Sequence, residues 1–213
     1  MLFFVPSYWS LFEFYSDNID FERDYNTYIN AMGPSGKEEA RLILINDFTI
    51  PGKIWVQHYK SIGFLNVLLD ALDKAAGNEL VKAQLKNEML VCRALYYYKL
   101  LQYFSPYQNN QEGIPLYTGV EGPFAGLATP RSPQKEVFAF ILSQLAEVGN
   151  ASTPPDPDYN IFFNKTYVNN LLAQVYWYKA ESGAKEADDY NNARKYAALA
   201  LQGTTIPETL TEY

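Results

Sequence analysis

Residues 86–104, KNEMLVCRALYYYKLLQYF, constrain the fold more than any other stretch of the sequence. This stretch contains no glycine or proline and few β-branched residues, so its intrinsic preference is helical. Its apolar side chains recur at spacings of mostly three and four, which predicts a helix with a wide apolar face. Three consecutive tyrosines, Tyr96, Tyr97 and Tyr98, place rings around most of its circumference. A helix of this kind needs neighbours on several sides.

Helical patterns on both sides of this stretch predict an all-α protein. Residues 54–74 repeat apolar side chains at spacings of three and four, and Gly77 is placed to end that helix. The next helix, over residues 79–104, is expected to fold back antiparallel across the short turn. Ser132 as N-cap and Pro133 at the first helical position predict another helix start. Further helices are predicted over residues 7–14, 133–148, 165–180 and 190–201.

The last two predicted helices resemble a degenerate tetratricopeptide repeat. Ala173 and Ala193 stand where the two helices of such a repeat approach most closely, and the small side chains allow that approach. The connection between them is longer than in the standard repeat. Together with the first long hairpin, this pattern predicts tetratricopeptide-like helical hairpins stacked into a superhelix.

Charge and composition argue against several functions. A net charge of -7 disfavours nucleic acid as a partner, because phosphate binding needs clustered Lys and Arg. The single histidine, His58, leaves multi-histidine zinc or iron sites without ligands. The single cysteine, Cys92, cannot form an internal disulfide and is expected to be a buried small hydrophobe. No stretch approaches the roughly 20 apolar residues that span a bilayer.

No motif assigns catalytic residues. A glycosidase needs two carboxylates facing each other about 5 to 10 Å apart, and no acidic residue here lies in a pattern that gives it such a role. Asp156, Asp158 and Asn160 match the opening of a calcium loop, but Ile161 replaces its glycine. Tyr167 stands where the bidentate acid is needed, so an EF-hand is excluded. We expect no cofactor and no metal, with a loose calcium site at Asp156 and Asp158 as the less favoured alternative.

Sugar binding requires an exposed ring against the apolar face of a pyranose and polar groups for its hydroxyls. The sequence offers such mixtures close to the ends of its predicted helices. The candidate ligand-binding residues are Tyr15, Asp17, Arg23, Trp55, His58, Tyr103 and Tyr107. For Trp55 a place in the core is an equal alternative, because it also begins an apolar stripe.

Charged residues within the central helix are assigned structural roles. Glu88 borders an apolar face, and we expect it to pair with Arg93 or with a neighbouring helix, since buried charges are normally paired. Asn66 on the preceding helix is assigned a structural role as well.

Five segments follow one another in a specific order over residues 50–201. The segments are Trp55, Tyr59, Ile62 and Asn66; Glu88, Arg93, Ala94 and Tyr96 to Tyr98; Ile114, Pro115 and Leu116; Pro130, Arg131, Ser132, Glu136, Val137 and Ile141; and Leu172 to Tyr176 with Ala193. In this order they resemble the SusD/RagB family of glycan-binding outer-membrane lipoproteins.

The resemblance implies a tetratricopeptide-like scaffold that is lipid-anchored at the cell surface of a Gram-negative outer membrane. It implies an oligosaccharide or polysaccharide ligand and a SusC-like TonB-dependent outer-membrane transporter as partner. Family members are about twice as long, so residues 1–213 are expected to be a single, truncated N-terminal helical domain without the C-terminal half. By the same resemblance, the signal segment and the lipidated cysteine are expected to lie outside residues 1–213, since Cys92 is internal.

The leading hypothesis is non-catalytic, cell-surface carbohydrate binding as part of a TonB-dependent glycan-uptake complex. The alternative is a helical-repeat adaptor that binds a protein or peptide in a groove lined by tyrosines. A glycoside hydrolase is the third hypothesis, and the lack of an assignable acid pair disfavours it.

Overall fold

The computed structural model describes residues 49–120, 129–149 and 163–202. Within these ranges all regular structure is helical, which confirms the all-α prediction, and the predicted helix at 7–14 lies outside them. The helices are α1 Thr49–Lys74, α2 Glu79–Phe104, α3 Gln134–Gly149, α4 Lys165–Glu181 and α5 Asp189–Ala200.

The chain divides into two compact units, Met1–Val56 and Gln57–Tyr213. Only residues 49–56 of the first unit are described. The expectation of a single domain over residues 1–213 stays a prediction.

A side-chain cap marks the start of α2, and prolines mark the starts of α1 and α3. The side chain of Asn78 accepts a hydrogen bond from the Leu80 N–H at 2.9 Å, and this cap starts α2 at the predicted residue. α3 begins one residue later than predicted, at Gln134, because the carbonyl of Pro133 already accepts the first helical hydrogen bond, from Val137. α1 begins five residues earlier than predicted, with Pro51 in its first turn, where a missing N–H costs nothing.

α2 is the central helix of the second unit, as predicted. α1 runs antiparallel to it, since His58 contacts Tyr103 and Asn66 contacts Arg93. α3 is also antiparallel to α2, and α4 is parallel to it. The fully buried side chains at the centre are Val91, Ala94, Tyr97, Leu100 and Leu101 of α2 with Val137, Phe138, Ile141 and Leu145 of α3.

The α4–α5 hairpin has the features expected of a tetratricopeptide-like repeat. The rings of Tyr176 and Tyr196 stack across it at 5.6 Å, with their planes 6° apart. Of the two alanines predicted at close-packing positions, Ala173 is buried and Ala193 is half-buried. Parallel α2 and α4, each paired with an antiparallel partner, reproduce the stacking of successive repeats.

A buried ion pair closes the long connection between α4 and α5. Lys179 Nζ lies 2.8 Å from both carboxylate oxygens of Asp189, and both residues are almost fully buried. Lys179 also bonds Glu186 at 2.8 Å. The residues that lengthen this connection beyond the standard repeat therefore include partners that neutralise the buried lysine.

The segment after α2 is extended and is held by side chains instead of by a strand partner. Tyr59 Oη donates to the Pro115 carbonyl at 2.9 Å. Asn66 Nδ2 donates to the carbonyls of Tyr117 and Gly119 at 2.7 and 3.1 Å. Ile114, at the centre of the predicted apolar run, is fully buried.

α1 carries apolar side chains on its exposed side as well as on its buried side. Phe64, Val67 and Leu68 form an exposed apolar stripe, while Ile62 and Leu65 on the other side are buried. None of the helices in the described part of the chain has the length and hydropathy required to cross a bilayer.

Candidate functional site

Aromatic side chains from α1 and α2 meet near the C-terminal end of α2. The ring of His58 lies edge-on to Tyr96, with centroids 5.4 Å apart, and to Tyr103, at 6.4 Å. We call these three residues the His58 cluster. Tyr103 is 36% exposed, and His58 and Tyr96 are half-buried, so the cluster opens to solvent at one edge.

Lys99 places a cation near the rings of the His58 cluster. Lys99 Nζ lies 6.0 Å from the centroid of the Tyr103 ring and 5.9 Å from that of Tyr98. Burial lowers the pKa of Lys99 and raises the pKa of the Tyr103 phenol, so the phenol stays protonated. The His58 cluster and Lys99 together thus combine ring faces with phenol, imidazole and ammonium donors.

Tyr107, four residues after Tyr103, lies beside a different helix. Its ring is 5.2 Å from that of Tyr178 on α4, and Tyr178 in turn contacts Tyr98 and Phe138. α2 ends at Phe104, so the helical spacing that would keep 103 and 107 on one face no longer applies. The structure therefore brings His58 and Tyr103 together and places Tyr107 elsewhere.

The other candidate residues are not joined to the cluster. Tyr15, Asp17 and Arg23 lie outside the described residues. Trp55 lies one turn before His58 on α1 but belongs to the first unit, so neither of its two predicted roles is tested.

The sequence analysis missed Tyr96 and Lys99 as members of this site. Tyr96, Lys99 and Tyr103 follow one another at spacings of three and four, which places them on one face of α2. That spacing, considered together with the lone histidine on the preceding antiparallel helix, is the signal that could have found them.

Arg93 connects three helices below the cluster. Its Nη1 donates to Asn66 Oδ1 of α1 at 2.8 Å, and its Nε donates to Gln144 Oε1 of α3 at 3.1 Å. The guanidinium also lies 5.3 Å from the centroid of the Phe140 ring. Burial removes water from the guanidinium and thereby lowers the pKa of Arg93. The amide acceptors and the ring replace part of this lost hydration. The network fixes α1 against α2 and thereby His58 against Tyr103.

Glu88 does not pair with Arg93. Its Oε1 accepts a hydrogen bond from the Phe163 N–H at 3.0 Å, at the start of the segment that leads into α4. Five residues separate Glu88 from Arg93, so their side chains leave α2 in directions about 140° apart. Burial raises the pKa of Glu88.

The remaining expectations concern the thiol of Cys92 and a metal site. Cys92 is half-buried, and burial raises the pKa of its thiol to about 11. In the described ranges no group of three His, Cys, Asp or Glu side chains could hold a metal ion. Asp156 and Asp158 lie outside these ranges, so the calcium alternative is not tested.

A family model named SusD-like, described as starch-binding and associating with the outer membrane, matches residues 20–177. No curated protein gives a significant match.

Several solved structures share the fold. A SusD superfamily protein from Parabacteroides distasonis is 21% identical, with a TM-score of 0.65, over 78% of this chain and 34% of its own. A SusD-like carbohydrate-binding protein from Bacteroides vulgatus is 23% identical, with a TM-score of 0.60, over 75% and 33%. A laminarin-binding SusD-like protein is 25% identical, with a TM-score of 0.59, over 79% and 32%. The chain therefore spans about a third of the length of these proteins.

Proposed function

The chain belongs to the SusD-like family, and from this premise we propose that it is a non-catalytic protein that binds oligosaccharide at the cell surface. The observation that carries the proposal is the family match over residues 20–177, with its description as starch-binding. The 25% identity to a laminarin-binding SusD-like protein supports the same ligand class.

The His58 cluster has the chemistry that such a ligand needs. A pyranose presents an apolar face, formed by its C–H bonds, and a rim of hydroxyl groups. The exposed part of the Tyr103 ring can pack against that face, while the imidazole of His58 and the ammonium of Lys99 lie near enough to bond the rim. Holding a sugar in this way requires no bond to be made or broken, so we propose neither a catalytic residue nor a cofactor.

The proposed partner is a SusC-like TonB-dependent transporter, to which this protein would deliver its oligosaccharide. The family's description as associating with the outer membrane supports that location. The exposed apolar stripe of Phe64, Val67 and Leu68 offers a surface for contact with another protein. We further propose that a lipid anchor attaches the protein to the membrane.

Binding to a glycan panel tests the proposed function. The chain is run in native gels that contain soluble starch, laminarin or xyloglucan, and the dissociation constant of any retarding glycan is then measured by titration calorimetry. Tyr103→Ala is expected to weaken binding about tenfold, because it removes a stacking ring. Tyr167→Ala is the matched control, since Tyr167 on α4 is also 36% exposed.

Retardation by none of the glycans would contradict carbohydrate binding and favour the adaptor alternative. Release of reducing ends from a glycan that binds would contradict the non-catalytic assignment. Co-purification of a TonB-dependent barrel with the tagged protein from its native membranes would support the proposed partner.

A further inference from the structure

Four exposed side chains form a second aromatic surface, which we call the α4–α5 surface. Trp177, Tyr190 and Tyr107 are 63%, 49% and 40% exposed, and Glu181 lies among them. Trp177 and Glu181 are four residues apart on α4, so they share one face. The Tyr190 hydroxyl of α5 donates to Glu181 Oε1.

Backbone contacts hold Tyr107 next to this pair. The Gly183 N–H donates to the Tyr107 carbonyl at 3.0 Å, and Gln108 Nε2 donates to the Glu181 carbonyl at 2.9 Å. A Cβ on Gly183 would lie only 2.6 Å from the Gln108 carbonyl oxygen, so the two segments are in close contact. The loop after α2 is therefore fixed against the end of α4.

Buried side chains beneath the surface bind the backbone or the residue next to Tyr107 and Tyr190. Gln134 Nε2 donates to the carbonyl of Pro106 at 2.6 Å, immediately before Tyr107. Asp189, immediately before Tyr190, is bound by the buried Lys179. The exposed rings are thus mounted on backbone that is fixed by hydrogen bonds and by a buried ion pair.

We propose that the α4–α5 surface is an oligosaccharide-binding site separate from the His58 cluster. This proposal rests on the proposed function, because it assigns the same ligand class to a second place on the molecule. Trp177 and Tyr107 supply ring faces for sugar units, and Glu181 with the Tyr190 hydroxyl bonds the hydroxyl groups of the sugar.

The chemistry of the surface selects among ligands. One Glu181 oxygen accepts from Tyr190, and a carboxylate has capacity for further donors, which a polyhydroxylated ligand supplies. The carboxylate repels anionic ligands, so a neutral glycan fits better than a phosphorylated or acidic one. One helical turn, about 5 Å, separates Trp177 from Glu181, so a sugar unit stacked on Trp177 can reach the Glu181 carboxylate with a hydroxyl group.

The test compares variants of the two surfaces in the same chain. Binding to laminarin and soluble starch is measured by titration calorimetry for wild type, Trp177→Ala, Tyr190→Phe and Tyr103→Ala. Phe64→Ala is the matched control, because Phe64 is 62% exposed on α1 and belongs to neither surface. Thermal melts followed by circular dichroism confirm that each variant folds.

We expect Trp177→Ala to weaken glycan binding about fivefold, with a smaller loss for Tyr190→Phe and none for Phe64→Ala. Wild-type tryptophan fluorescence should change on adding the glycan, and that change should be reduced in Trp177→Ala.

If Tyr103→Ala weakens binding while Trp177→Ala and Tyr190→Phe bind like wild type, the second site is wrong and the proposed function stands. If wild type binds neither glycan, both proposals fail. A Trp177→Ala variant that melts far below wild type would be replaced by Trp177→Gln and Glu181→Gln, and wild-type affinity in both would overturn the second site.

Discussion

The Tyr97 hydroxyl makes both of its hydrogen bonds to the backbone of Tyr117. It donates to the Tyr117 carbonyl at 2.9 Å and accepts from the Tyr117 N–H at 2.8 Å. A side chain of α2 thus occupies the place that a neighbouring strand would take in a sheet. The extended segment after α2 is ordered through this phenol.

Tyr97→Phe is therefore expected to lower the free energy of unfolding by about 1 to 3 kcal/mol, because the Tyr117 N–H loses its acceptor and the Tyr117 carbonyl keeps only the Asn66 donor. Urea denaturation followed by circular dichroism measures the loss. Tyr98→Phe on the same helix is the control, since the Tyr98 hydroxyl makes a longer bond of 3.3 Å to one helical carbonyl. Equal losses in the two variants would contradict the special role of Tyr97.

Arg93→Met should destabilise the protein by about 2 to 4 kcal/mol. The methionine matches the aliphatic part of the side chain but leaves the amide oxygens of Asn66 and Gln144 buried without their donor. Denaturant titration checks the value. Arg194→Ala, at an exposed position on α5, should change stability by less than about 0.5 kcal/mol. A stable Arg93→Met variant would mean that the amides find other partners.

Glu186 should make stability depend on acid pH. It bonds Lys179 at 2.8 Å and Lys135 at 2.6 Å, and these cations lower the pKa of its carboxyl from 4.5 to about 2. The folded state therefore favours the ionised form. The resulting stability is complete above about pH 5 and is lost as the pH falls to about 2.

We accordingly expect the melting temperature of wild type to exceed that of Glu186→Gln by about 1 to 3 °C at pH 7, a small value because solvent screens this half-exposed carboxylate. The difference should shrink steadily between pH 5 and pH 2. Glu79→Gln, which removes a more exposed carboxylate paired with Lys82, is the control. A difference that stays constant down to pH 2 would contradict the prediction.

Gly183→Ala should destabilise the junction between the loop after α2 and the end of α4. The added methyl would lie 2.6 Å from both the Gln108 carbonyl oxygen and the Asn110 nitrogen, so the backbone must move. A loss of about 1 to 3 kcal/mol is expected from such overpacking and is measured by denaturant titration. Gly149→Ala adds a methyl with nothing within 4 Å and should be nearly neutral.

Local signals predict the helices of this protein well. The bounds of α2 agree with the prediction because Asn78 and Pro106 act within a few residues of its ends. α4 likewise begins at the predicted Lys165, where the side chain of Asn164 accepts from the Tyr167 N–H. Caps and prolines act on residues next to them in the chain, so their effects can be predicted from the sequence.

Partners distant in sequence are less predictable. The acceptor of Arg93 on α3 is 51 residues away, and the donor to Glu88 is 75 residues away. Periodicity shows which residues share a face of α2 but not which helix covers that face. The separation of Tyr103 from Tyr107 has the same origin, since it depends on which neighbouring helix each ring meets once α2 ends.

The Arg93 network also bears on how the protein folds. In a solenoid of repeats each hairpin contacts only its neighbours, so hairpins can form and unfold one at a time. Arg93 is satisfied only when α1 and α3 are both in place, so α1, α2 and α3 gain their stability together. The ion pair of Lys179 and Asp189, by contrast, closes the α4–α5 hairpin with its own charges. Unfolding should therefore begin at that hairpin, while the three helices around Arg93 open as one cooperative unit.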